Sequence, residues 1–207
     1  MANLIIKSSA DNLVLQGSDA SPAVTVAADG QTTFAENATL SGTANVYGAG
    51  TFPAGHVIQV ESTTLTTSYT AANSNFTDIT GMSVVITPKF SDSKVLVVVS
   101  IGITASNDHH ARIVRNLPSD PTAIAVGTGQ AGSQTAQTFG YIYNATGSFV
   151  ETRSMNFLDS PATTSAITYK VQAKGTGTLY INRSSTDSNE GHYGRNVSTI
   201  TVMEVAQ

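Results

Sequence analysis

The sequence predicts an all-β protein: a short N-terminal β-stalk followed by a C-terminal jelly-roll-like β-sandwich head. Three observations carry this reading. No segment places apolar residues at helical spacing, whereas alternation with period two is plain in Ser83-Val84-Val85-Ile86-Thr87 and in Ile167-Thr168-Tyr169-Lys170-Val171. Candidate strands are numerous, short and separated by Gly, Pro, Asn and Asp. The chain also changes character at 51–60, where apolar pairs and triplets give way to runs long enough for a β-domain core. Pro53 and Gly55 punctuate that change. Residues 1–52 therefore read as a stalk and attachment segment, and 53–207 as the head.

In the stalk the spacing predicts strands at 4–6, 13–15, 24–26, 32–34 and 38–40, with Asp29-Gly30 as a hairpin turn. Strands this short bury little apolar surface and leave open edges. Winding several copies around a common axis solves both problems, because each chain then completes its neighbours' sheets. An intertwined oligomer is the expectation.

In the head, strands are expected at 56–66, 76–88 (bent at Gly81), 94–106, 111–116 and 123–127. They continue at 136–144, 149–159, 166–174, 178–182 and 197–205. Many short strands joined by turns suggest a two-sheet sandwich of jelly-roll type. If successive strands run antiparallel, connections alternate between its two ends. The stalk end should then receive 88–94, 116–122, 144–148 and 174–178. The far end should receive 67–75, 106–110, 128–135, 159–165 and 183–196, which are the longer polar loops and the natural place for recognition.

Composition narrows the function classes. Only 12% of the 207 residues are charged and the formal net charge is −4, so electrostatics give no reason to expect binding to nucleic acid or anionic lipid. The longest apolar run, 95–103, is far short of a membrane span, so no membrane insertion is expected. Met1-Ala2-Asn3-Leu4 does not open a signal peptide. With no cysteine, stabilisation must come from packing or oligomerisation. Sequons at Asn37, Asn75, Asn144, Asn182 and Asn196 are what chance supplies in a chain rich in Ser, Thr and Asn.

Two groups of residues could carry recognition. Asn107, Asp108, His109 and His110 form the first, and its imidazoles and carboxylate are metal-ligand types. Adjacent strand residues point to opposite faces, however, so one chain could not turn both imidazoles on one ion. Solvated loop contacts are the simpler reading, with a shared ion conceivable only near an oligomer axis. The second group is the long 184–195 loop, with Asp187, Asn189, Glu190, His192, Tyr193 and Arg195. This mixture suits hydrogen bonding to sugars, with Tyr193 as a stacking face. No phosphate loop, nucleophile elbow or metalloprotease motif is present, and nothing pairs Glu151, Asp159 or Glu190 for glycoside hydrolysis. No catalysis is expected, nor any metal or cofactor.

Several segments carry a family resemblance: 24–42, the joint 52–60, 76–82 leading to 86–88, 157–161, and 198–204. Together they resemble phage tail-fibre-like virion proteins of the marine and cyanobacterial phage type. The resemblance implies a homotrimer located in the virion and lacking a cofactor. It implies attachment to other virion proteins through the N-terminal segment, and contact of the head loops with a host-surface glycan or protein. The alternative within the same class is a capsid decoration or cement protein. A secreted jelly-roll ligand and a depolymerase are more distant readings.

Overall fold

The computed structural model describes residues 13–16, 22–26, 32–34, 52–117, 120–142 and 149–207, and every regular element among them is a β-strand. Contacts divide the chain into Met1–Gly50 and Thr51–Gln207. In the first unit, β1 (Leu13–Gln16), β2 (Pro22–Val26) and β3 (Thr32–Phe34) form an antiparallel meander. Leu13 sits opposite Val26 and Val24 opposite Phe34. These three strands pair with one another within the chain. The strands expected at 4–6 and 38–40, and the Asp29-Gly30 turn, lie outside the described residues.

The second unit is a sandwich of two antiparallel sheets. The first contains β4 (Val57–Leu65), β5 (Tyr69–Ala71), β7 (Lys94–Ala105), β11 (Glu151–Asp159), β13 (Leu179–Ile181) and β14 (Ser198–Val205). The second contains β6 (Thr77–Ile86), β8 (His109–Leu117), β9 (Asp120–Ile124), β10 (Phe139–Ile142) and β12 (Ile167–Gly175). The register shows that some of these are halves of one strand. On one side of β7, β14 pairs with Lys94 to Ser100 and β13 with Ile103 to Ala105, both in the same direction. Beyond them β4 and β5 likewise follow one line. On β8, β9 pairs with Ile113 to Leu117, while β10 pairs with Ala111 and His109. Counting each broken strand once, the sheets read β4/β5, β14/β13, β7, β11 and β6, β12, β8, β9/β10. This is a jelly roll.

Alternation explains why the strands form and which way they face. In β12 and β14 every second residue is buried, and β7 buries Val95, Val97, Val99, Ile101 and Ile103 against the opposite sheet. Met82, Val84, Ile86, Ile113, Ile167, Tyr169 and Val171 fill the space from the other side. Each such Val, Ile or Met contributes about 1.5–3 kcal/mol by leaving water. The bend expected at Gly81 is present: its φ is +85°, and the β6–β12 register shifts beside it. A φ in this region favours glycine, and a Cβ there would lie 2.7 Å from Leu65 Cδ1, so a larger residue would be strained and would displace that leucine.

Two buried carboxylates pin the sandwich: Asp159 bridges the two sheets, and Glu204 holds the β6–β7 connection against the first sheet. Asp159 accepts from Arg115 Nη1 at 2.8 Å and from the Tyr169 hydroxyl at 2.7 Å. Burial and that carboxylate push the Tyr169 phenol well above its ordinary pKa. Glu204 Oε1 accepts the backbone N–H groups of Lys89 at 2.7 Å and Phe90 at 3.1 Å, and Gln59 Nε2 donates to Oε2 at 2.6 Å.

The register corrects the expected placement of loops. Asp159 pairs with Val95 and Ile167 with Ile86, so the 160–166 loop lies at the end where residues 52–56 enter, not at the far end. Gly175 pairs with His109 and Leu179 with Ala105, so 176–178 lies at the far end with 106–108. The cause is the broken strand. Because β9 and β10 run in one direction, the alternation of ends slips by one after 124, and the second break between β13 and β14 restores it.

The outward face of the first sheet is unusual. Leu158, Leu96, Met203 and Val60 lie opposite one another in one row across four strands. Asn156, Val98, Thr201 and Ser62 form the next row, and Ser154, Ser100, Thr199 and Thr64 the one after. Val60 is 53% exposed, Leu158 46% and Val57 45%. No residue of these three rows is charged, and Lys94 lies one row beyond them at the rim, opposite Val205.

Candidate binding hollows

The 182–197 insertion begins where β13 stops, and Asn182 sets its geometry. Its φ is +60°, a left-handed conformation that asparagine tolerates better than most residues. The side chain is buried. Its Nδ2 donates to the carbonyls of Leu65 at 2.7 Å and Thr67 at 3.1 Å, the point where β4 breaks from β5. Its Oδ1 accepts from Ser198 Oγ at 2.6 Å, and Gly102 N donates to the same hydroxyl at 3.0 Å. One amide thus staples the breaks in two neighbouring strands. Gly102 makes room for this: a Cβ there would lie 2.7 Å from the Asn196 Cβ. Asn182 heads a sequon, but its amide is fully engaged inside the fold.

Above this neck, Arg183 and Arg195 form an isolated antiparallel bridge. Asp187 receives both guanidiniums, from Arg183 at 3.1 Å and from Arg195 at 2.7 Å. The Arg183 guanidinium also lies 4.9 Å from the centre of the Tyr180 ring. Tyr193 N donates to Glu190 O at 3.1 Å, and the rings of His192 and Tyr193 are 4.1 Å apart. The loop borders an open hollow of about 330 Å³ lined by Asp187, Ser188, Asn189, Glu190, Tyr193 and Arg195. Five of the six residues expected here from the sequence, all but His192, line it together. Its charges nearly balance, and its donors and acceptors suit a hydroxyl-rich ligand.

The first expected group separates. Asn107 and Asp108 are exposed at the β7–β8 turn. His109 is 1% exposed, its Nδ1 2.9 Å from the Asn107 carbonyl. A carbonyl only accepts, so Nδ1 carries the proton. His109 therefore cannot serve as a contact from solution. His110 takes the opposite face, as adjacent strand residues must, and its Nδ1 lies 2.7 Å from Gln137 Oε1. It lines a second hollow, of about 470 Å³, with residues 127–130, 133–135 and Gln137.

That hollow is built by the second insertion, 125–138, between β9 and β10. Thr138 closes its neck: Oγ1 accepts from Ile113 N at 2.9 Å and donates to Ile124 O at 3.2 Å. Gly129 and Gly132 have positive φ, and Gln130 Nε2 caps the Gly127 carbonyl. Apart from His110, the lining is glycine and uncharged Ser, Thr and Gln. Sequence reasoning placed a loop here without selecting its residues. The available signal was the Gly127-Thr128-Gly129-Gln130 run, which permits tight turns while presenting amides.

Among the described residues, no group of three or more His, Asp and Glu side chains is placed to hold a metal ion. No helix among them is long and apolar enough to cross a membrane. No family model matches the chain, and a comparison with curated proteins found no match.

Proposed function

We propose that this chain is a trimeric, tail-fibre-like virion protein that attaches to the particle through residues 1–52 and contacts a host-surface glycan with its head. The observation that carries the reading is the pair of hollows, at His110 and within 183–195. Both are polar, nearly charge-neutral and built by strand interruptions whose necks are pinned by buried Thr138 and Asn182. A rigid scaffold presenting adaptable polar loops is the usual arrangement for recognition, and several weak sites on one particle gain strength by avidity. Assembly of copies is supported by the three uncharged rows of the outward face, led by Leu158, Leu96, Met203 and Val60, since an exposed apolar patch of this kind marks an interaction surface.

Binding of labelled full-length chain to host cells is the test, compared with a variant in which 186–194 is replaced by a short Gly-Ser bridge. The intact chain should bind and the variant should bind less. Absence of binding by the intact chain, or equal binding by both together with equal binding of a Gln137→Ala, Thr135→Ala variant, overturns the reading. Antibody labelling of intact particles in electron micrographs checks the virion location.

A further inference from the structure

The outward face of the second sheet differs in kind from that of the first. Lys174 of β12 lies opposite His110 of β8, and Gln172 lies opposite Arg112. Arg112 reaches across β12: its Nε and Nη2 donate to Gln172 Oε1 at 3.1 and 2.9 Å, and its guanidinium lies 3.9 Å from the centre of the Phe76 ring. Lys174 Nζ lies 5.2 Å from the centre of the same ring. Two cations thus converge on one aromatic face, where their mutual repulsion is unfavourable unless something offsets it. Neither forms an ion pair with a carboxylate among the described residues. The carboxylate in Arg112's own row, Asp78, lies beyond Gln172 on β6 and is committed to Lys170 Nζ and Gln172 Nε2, each at 2.7 Å. In a chain with a net charge of −4, this is a local excess of positive charge.

His110 joins this face to the hollow described above, because it is both the cross-strand partner of Lys174 and part of the hollow's lining. We propose that Arg112 and Lys174 form an anion subsite, and that the ligand is an acidic saccharide. Its carboxylate or sulfate group meets the two cations, and its hydroxyl-bearing remainder fills the hollow lined by residues 127–137. The guanidinium uses two of its five N–H donors on Gln172 and keeps three for a planar oxyanion. Phe76 beneath it fixes the fork and withholds water from one side. Burial lowers the Arg112 pKa from its ordinary value, and a guanidinium is so weak an acid that it keeps its proton in proteins. This inference rests on the glycan-binding reading and specifies its chemistry.

The test measures binding of the full chain to a polyuronate, to a sulfated polysaccharide, to a neutral glucan and to inorganic sulfate alone. The wild type should prefer the acidic polymers, and that preference should weaken as salt is raised. Arg112→Gln with Lys174→Gln should reduce acidic-polymer binding by roughly tenfold or more, the scale of a lost charge-assisted contact, while leaving neutral-glucan binding unchanged. A thermal midpoint close to wild type certifies folding. If the double variant does not fold, Lys174→Gln alone decides, since that side chain makes no hydrogen bond in the described fold. Equal binding of acidic polymers by variant and wild type overturns the subsite. So does wild-type binding of the neutral glucan without acidic preference, which leaves the glycan reading standing. Binding of inorganic sulfate as tight as that of the polymers overturns the role of the hollow. Failure of every polysaccharide overturns both readings.

Discussion

Asn182 offers the sharpest test of how the fold holds its largest loop. Replacing it with alanine removes three side-chain hydrogen bonds: two donated to Leu65 and Thr67 and one accepted from Ser198. Each is worth about 1 kcal/mol net, and more where a buried carbonyl is left without a donor. Alanine at a φ of +60° adds about 1 kcal/mol of backbone strain. The expected total is therefore roughly 4 kcal/mol. Asn182→Gly isolates the hydrogen-bond part, because glycine accepts the backbone at no steric cost, and should lose about 3 kcal/mol. Urea unfolding followed by circular dichroism gives both numbers. Limited trypsin digestion reads the local effect, since Arg183 and Arg195 bracket the loop and lose their anchored neck. Cleavage there should accelerate more than global unfolding does. A loss below about 1 kcal/mol for Asn182→Ala, on a bond set expected to cost several times that, would refute the staple. Unchanged trypsin cleavage would do the same for its role in the loop.

Other expectations follow from single contacts. Burial alone would raise the Glu204 pKa, but the N–H groups of Lys89 and Phe90 and the Gln59 amide hold it below the ordinary glutamate range. Its stabilisation is therefore complete above the unfolded value of ~4.3 and is lost as pH falls through the folded value. Glu204→Gln should cost about 2–4 kcal/mol at pH 7 by weakening charge-assisted bonds, and the gap should close in acid; a gap that persists unchanged at low pH would rule out the charge. At Gly175 a Cβ would meet the Asp108 carbonyl oxygen at 2.1 Å and the buried His109 ring at 2.5 Å. Gly175→Ala should lower stability by about 3 kcal/mol in thermal or urea unfolding. On the proposed assembly through this face, wild-type chain should sediment as an oligomer and Val60→Lys with Leu158→Lys as a monomer with little loss of head stability, as exposed substitutions usually show; a wild-type chain that is already monomeric would refute the interface.

Much of the architecture was legible because alternation is a local property. β12 announces both its extent and its buried face, β7 and β14 announce their extent, and Gly81 announces a bend. What stayed hidden is decided by partners remote in sequence. Tyr69-Thr70-Ala71 is too short to signal a strand, and it becomes β5 only because β13 lies beside it. Nothing local distinguishes two antiparallel strands from two halves of one, so the break between β9 and β10 misplaced the loops that follow. The 187–195 loop stood out by its mixture of charged and aromatic residues. Phe76, Arg112 and Lys174 carry no motif, and only the β6–β12–β8 pairing brings them to one face.

The broken strands also explain why the two hollows proposed for binding sit where they do. A loop lengthened at the end of a hairpin can slip the register of both strands, and a one-residue slip turns every core side chain outward. A loop inserted within a strand has each flank pinned separately. β13 is held by Ile103 to Ala105 and β14 resumes at Ser100, so Ile181 and Ile200 stay in the core whatever lies between. The same holds for Ile124 and Phe139 around the other insertion. Each neck then needs one buried polar residue to satisfy the interrupted ladder, and Asn182 and Thr138 are those residues. Length and chemistry between the flanks are left free to follow a ligand, while the sandwich that carries them keeps its register.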